Sequence, residues 1–225
     1  MGPSDIDARI VLERDGLLVM DKPSGMPTSG RRLTDTDCLQ YWLMQRHGGM
    51  VWAVHQLDAD TTGINLFVTE KHLVSHYHER LGHQETRKEY LAMVHGAPDW
   101  DERAVDAPIG MLDMQNLGVT ASGRTAFSTF RVLSRGPQSA LVVARIRTGR
   151  THQIRIHLSH LGHPVIGEEW YRDAPCTRHP RQALHAWRLD MDGLNVSIPP
   201  ASDLVALAES EGLSLEAVVQ RSRGA

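Results

Sequence analysis

The chain has 225 residues, 41% of them hydrophobic, and a formal net charge of −3, enough for one large domain or two small ones around a sizeable core. No apolar run approaches the ~20 residues of a membrane span, and the first residues lack the apolar stretch of a secretory leader. Cys38 and Cys176 lie outside any Cys-x-x-Cys spacing, which argues against a disulfide framework or a zinc ribbon and leaves a soluble cytoplasmic protein as the expectation.

Ala8 to Glu13 and Leu17 to Asp21 read as two strands joined across Arg14-Asp15-Gly16, an Asp-Gly hairpin signal. Lys22-Pro23-Ser24-Gly25 ends the second strand. A helix is predicted over Asp37 to Arg46, capped by Thr36 or Asp37, on the spacing of Leu39, Trp42, Leu43 and Arg46. Ile64 to Thr69 alternates like a strand, and a helix from Glu70 to Leu81 follows with Thr69 as cap. Lys88 to His95, Arg124 to Leu133 and Ser139 to Arg147 are strand-like. Thr151 is placed to cap a helix reaching about Leu161, stopped by Gly162 and Pro164. Ala183 to Met191 and Leu194 to Ile198 form a hairpin pattern across Asp192-Gly193, and the tail holds two helical patterns starting near Asp203 and Ser214. Successive strands with inserted helices predict an α+β fold on a mainly antiparallel sheet.

The charge is unevenly placed. From Met114 to Gly167 there is no Asp or Glu, while Arg124, Arg131, Arg135, Arg145, Arg147, Arg150 and Arg155 all fall inside. One face could therefore attract phosphate while the whole chain stays acidic; seven separately solvated arginines are the plain alternative.

Asp58 sits in a short polar segment between apolar Val51 to Val54 and Ile64 to Val68. Thr61, Thr62 and Gly63 supply hydroxyls and amides that can brace a carboxylate there. Taken singly, Asp58 is a solvated loop residue like Asp60, and His55 a strand residue bonding the loop. Tyr90 is a strand aromatic, and Arg155 a helix residue facing solvent. His152, His157, His160 and His163 cluster without the i, i+4 spacing and intervening Glu of zinc hydrolases, so no metal is expected.

Together, four ordered blocks resemble the RluA-type pseudouridine synthases: Leu17 to Pro27, His55 to Gly63, Lys88 to Gly96, and Thr148 to His157 continuing from Leu161 to Gly167, with Leu184-His185-Ala186 as a fainter fifth. The resemblance implies a synthase-like fold: a mixed, mainly antiparallel sheet with flanking helices and a central cleft. Family members commonly carry a small RNA-binding domain ahead of the catalytic one. With the first matching strand at about Ala8, the expectation here is a catalytic domain over residues 8–200 with a helical extension over 201–225 and no such accessory domain. The resemblance also implies isomerisation of a uridine in ribosomal or transfer RNA, by a monomer, without metal or cofactor.

The resemblance makes Asp58, Tyr90 and Arg155 the catalytic set. Asp58 would act on the ribose, Arg155 would hold it ionised, and Tyr90 would pack on the flipped uracil. His55, Gln56, Leu57, Thr62, Lys22, Arg150, Gln153 and Ile154 form the implied substrate-binding set, Lys22 and the arginines through phosphates. One position departs: the family usually carries Arg where this chain has Gln56, which is uncharged and stacks less well. A non-catalytic RNA-binding protein keeping the fold is the alternative, and a metal-dependent hydrolase using the histidines a more distant one.

Overall fold

The computed structural model describes residues 3–32, 34–173, 176–216 and 218. A short helix not anticipated from the sequence, α1 (Pro3–Asp7), buries Ile6 beside Leu39 and Leu43. Strands β1 (Ile10–Arg14) and β2 (Leu17–Lys22) pair antiparallel across Asp15 and Gly16, whose φ angles of 49° and 76° suit a tight hairpin turn.

Helix α2 (Leu39–His47) starts after Cys38, later than either predicted cap. The amides of Leu39 and Gln40 donate to the carbonyls of Pro27 and Thr28, so loop backbone takes the first-turn donors that a side-chain cap would otherwise satisfy. Strands β3 (Trp52–Ala53) and β4 (Thr62–Val68) follow, then α3 (His72–Gly82). Thr69 does not cap α3: its amide and hydroxyl both donate to the Gly16 carbonyl, closing the strand end against the first hairpin.

The next strands are β5 (Arg87–His95), β6 (Glu102–Asp106), β7 (Ile109–Met111), β8 (Leu117–Val119), β9 (Phe127–Arg135) and β10 (Ser139–Ile146). Helix α4 (Gln153–His160) begins after His152, which takes a left-handed φ of 54° where Thr151 was the expected cap. Gly162, at φ 80°, stops it as predicted. The chain continues through β11 (Leu184–Met191), β12 (Leu194–Ser197) and α5 (Ser202–Ser210). The second predicted tail helix, from near Ser214, falls mostly outside the described residues.

The main sheet runs β1-β2-β4-β11-β5-β10-β9-β6, with β3 added on β4 and β12 on β11; β7 and β8 pair separately. All pairs are antiparallel except β4 with β11, which gives the mixed, mainly antiparallel α+β architecture. β4 is buried at every position. Ile64, Leu66 and Val68 join Leu17, Val19 and Leu189 in one cluster, while Phe67 joins Leu18, Met20, Leu39 and Leu43 in another. A third cluster, containing Phe130, Leu141, Leu158 and Trp187, unites β5, β9, β10, β11 and α4.

The parallel contact positions the site. A Cβ on Gly63, at φ 99°, would lie 2.2 Å from the Ala186 carbonyl oxygen, so only glycine allows β4 and β11 to approach there. Ala186 is in turn opposite Tyr90 on β5. The Asp58 loop, the start of β11 and Tyr90 thereby meet in mid-sheet.

Candidate active site

The sheet opens there into a cleft of about 760 Å³, lined among others by Gln56, Leu57, Asp58, Tyr90, His152 and Arg155. Asp58, its side chain 24% exposed, accepts hydrogen bonds at Oδ2 from Arg155 Nη1 at 3.0 Å and Gln182 Nε2 at 3.2 Å. His152 Nε2 lies 3.6 Å from Oδ1. Asp60 differs in these contacts: it is exposed, and its carboxylate accepts the Gly25 amide at 3.2 Å.

Arg155 does not face solvent. It is 4% exposed, and its Nε and Nη2 each donate to one oxygen of buried Glu168 at 2.7 Å. This fork leaves Nη1 for Asp58, an arrangement that planar guanidinium geometry favours. Burial works against the Arg155 charge, but Glu168 and Asp58 outweigh it and raise its pKa. Burial likewise opposes the Glu168 charge, and Arg155 with the amides of Trp170 and Tyr171 outweighs it, holding the carboxyl below its ordinary range. The rings of Trp170 and Tyr171 lie 5.2 and 5.3 Å from the guanidinium carbon. Tyr171 also holds His152, with its hydroxyl 2.6 Å from Nδ1. Burial lowers the His152 pKa, against the pull of Asp58.

Tyr90 packs between two of the core clusters and borders the cleft. Burial, reinforced by the negative charge of Asp58, pushes its phenol well above the ordinary tyrosine value, so Tyr90 is a neutral aromatic wall with an intact O–H.

Several residues expected to bind substrate are scaffold. Lys22 is fully buried, and its Nζ donates to the carbonyls of Pro23, Met26 and Ala59 at 2.6–2.8 Å. It ties the loop after β2 to the Asp58 loop and cannot reach a phosphate. Burial draws its pKa down to about 7, with Asp60 and Asp58 pulling the other way. Lys22→Met is expected to lower stability by about 2–4 kcal/mol through the carbonyls left unpaired. The salt slope of RNA affinity, which counts phosphate contacts, should stay unchanged. Thermal unfolding and a salt titration check the two parts, and a shallower slope would return Lys22 to the RNA interface.

Gln153 is also spent internally, accepting from Thr148 and the Arg150 amide and donating to the Phe127 carbonyl and Ser128 hydroxyl. Thr62 bonds buried His185 Nδ1 at 2.8 Å, and His185 Nε2 lies 3.0 Å from the Ile198 carbonyl oxygen. His55 Nε2 accepts the Leu66 amide at 3.2 Å; burial brings its pKa to about 4. Ile154 is buried yet borders the cleft, as does Leu57, whose amide is held by the Thr28 hydroxyl. Gln56 is exposed at the cleft and exchanges hydrogen bonds with Ser29.

The arginine stretch is less uniformly positive than its sequence suggests. Arg135 pairs with Asp101, Arg145 with Glu89, and Arg155 with Asp58 and Glu168. Arg124, Arg147 and Arg150 border the cleft without an ion pair among the described residues, and Lys88 and Arg188 border it too. No cluster of metal-binding side chains occurs among the described residues.

Glu168 and Gln182 were missed in the sequence. Glu168 ends the acid-free stretch, and a search for the counter-charge of Arg155 would have found it. Gln182 sits two residues before the Leu184-His185-Ala186 block and donates to both Asp58 and Thr61.

The site is therefore an aspartate fixed by a buried Arg–Glu pair at a cleft bordered by Arg124, Arg147 and Arg150. Residues 16–160 match the family model of RNA pseudouridylate synthases, and the chain belongs to that family. The ribosomal large subunit pseudouridine synthase D of Nitrosomonas europaea is 36% identical over 83% of this chain and 58% of its own length. The enzyme of the same name from Pseudomonas aeruginosa is 36% identical over 84% of this chain and 65% of its own. The chain thus spans about three fifths of these relatives. The solved structure of human RNA pseudouridylate synthase domain containing 1 superposes with a TM-score of 0.75 at 26% identity, over 96% of this chain and 95% of that one. The human domain containing 4 gives 0.79 at 24% over 94% and 96%, a likeness of fold.

Proposed function

We propose that this chain is an RNA pseudouridine synthase that isomerises a uridine of large-subunit ribosomal RNA in the cytoplasm, acting as a monomer. The observation that carries the reading is the Asp58 carboxylate held by Arg155 and Gln182 beside Tyr90 in the cationic cleft. Family membership and the names of the bacterial relatives support the substrate.

A uridine stacked in a helix hides its glycosidic bond, so it must be extruded, at a cost of a few kcal/mol. Arg124, Arg147 and Arg150 attract the backbone, and Tyr90 packs on the uracil. Ionised Asp58 then acts on the ribose, as nucleophile at C1′ or as base at C2′, and Arg155 holds its charge and aim. The N1–C1′ bond breaks, uracil turns, C5 bonds C1′, and the C5 proton leaves while N1 gains one. Mapping pseudouridines in ribosomal and transfer RNA from cells with and without the gene tests this: one ribosomal site should disappear. Loss confined to transfer RNA would overturn the substrate, and no loss the activity.

Gln56, uncharged at the cleft mouth, contributes little phosphate attraction. Gln56→Arg is expected to keep or raise turnover on structured RNA, up to about fivefold, measured as initial rates. A sharp fall would mean that the amide and its Ser29 partner fit this enzyme's own substrate.

A further inference from the structure

We infer that the indole of Trp170 is the stacking platform for the base next to the target uridine, a role that rests on the function proposed above. Of the five tryptophans, Trp187 is buried and three are partly covered, whereas Trp170 is 66% exposed. Its exposure comes with a fixed position. The Trp170 amide donates to Glu168 Oε1 at 3.0 Å, and its ring is braced by the Arg155 guanidinium at 5.2 Å and the His152 ring at 5.1 Å. Glu168 is also the residue that forks Arg155. One buried carboxylate therefore sets both the partner of Asp58 and the indole, and so the offset between them.

Trp170 does not line the cleft, although His152 and Arg155, on which it packs, do. A base inside the cleft does not meet it; a nucleotide left outside does. Extruding a uridine strips its neighbour of one stacking partner, and a pre-organised aromatic face replaces that partner at little ordering cost. Arg124, Arg147 and Arg150, without an ion pair among the described residues, attract the backbone of the RNA strand of the proposed function, and stacking makes the contact tolerant of which base it is.

The test compares Asp58→Asn, which binds without turnover, with Asp58→Asn/Trp170→Ala and Asp58→Asn/Trp170→Phe, using transcribed large-subunit ribosomal RNA. Loss of one base–aromatic stack should raise Kd about tenfold for Ala, and less than about threefold for Phe, which keeps an aromatic face. The ratio should hold across salt, since no charge is removed. An unchanged Kd for Ala overturns the inference even if kcat falls in the Asp58-intact protein, because that pattern is loss of cover over Arg155 alone. A Phe variant as weak as Ala also overturns it. Absence of pseudouridine formation by the wild type in the same RNA overturns the proposed function itself, and this inference with it.

Discussion

Asp58→Asn should abolish pseudouridine formation, lowering turnover by about a thousandfold or more, the scale seen when an essential reacting group is removed. The amide is nearly isosteric, so RNA affinity and thermal stability should stay close to wild type. Arg155 remains paired, because Glu168 already takes two of its donor positions, and Asp58, partly open to solvent, contributes only a modest ion-pair energy. Turnover on RNA and thermal unfolding of the same preparation separate lost chemistry from lost fold. Comparable activity in the variant would remove Asp58 from the mechanism.

The second large effect is expected at Glu168, which touches no substrate in this account. Glu168→Gln leaves the buried Arg155 facing an amide with one acceptor oxygen and an NH2 donor in place of the second, and breaking such a pair costs about 3–5 kcal/mol. With its oxygen at the Oε1 position the side-chain amide keeps the Trp170 and Tyr171 amides but turns an NH2 group on Arg155 Nε; with its oxygen at Oε2 it loses both amides. Thermal unfolding should show the loss, and turnover should fall by about tenfold to a hundredfold as Arg155 releases its aim on Asp58. The pH dependence carries a second signature. The folded pKa of Glu168 lies below its ordinary value, so its stabilisation is full above that ordinary value and drains away as pH falls through the lower folded one. The variant should lack this contribution to acid sensitivity. Equal stability and equal acid slopes in the two proteins would show that the pair holds nothing in place.

Most of the sheet was legible because its strands are apolar runs, buried throughout in β4 and nearly so in β2 and β10, and the Asp-Gly and Asp192-Gly193 turns mark hairpins directly. The strands that escaped are short or carry little apolar pattern: β6 buries only Val105, and β7 and β8 have three residues each. Helix starts were misplaced where a distant partner had already taken the cap. Thr69 is committed to Gly16, and α2 draws its acceptors from Pro27 and Thr28.

The site divides in the same way. Asp58, Tyr90 and Arg155 were visible through ordered motifs, and the fold brings them to one cleft. Gln182 meets Asp58 from 124 positions away, and no local pattern encodes that contact. Lys22, Gln153 and Thr62 have the donors a ligand-binding residue needs, but the chain spends those donors on itself. Residue type specifies the hydrogen-bonding capacity, and only the fold shows which partner uses it.

The most direct measurement is tritium release from RNA carrying uridine labelled at C5, incubated with wild-type protein and with Asp58→Asn. Forming the C5–C1′ bond expels the label, so the wild type should release it in step with pseudouridine and Asp58→Asn should release none. Tight RNA binding by the wild type with no release would contradict the account and leave a non-catalytic RNA-binding protein built on the same fold.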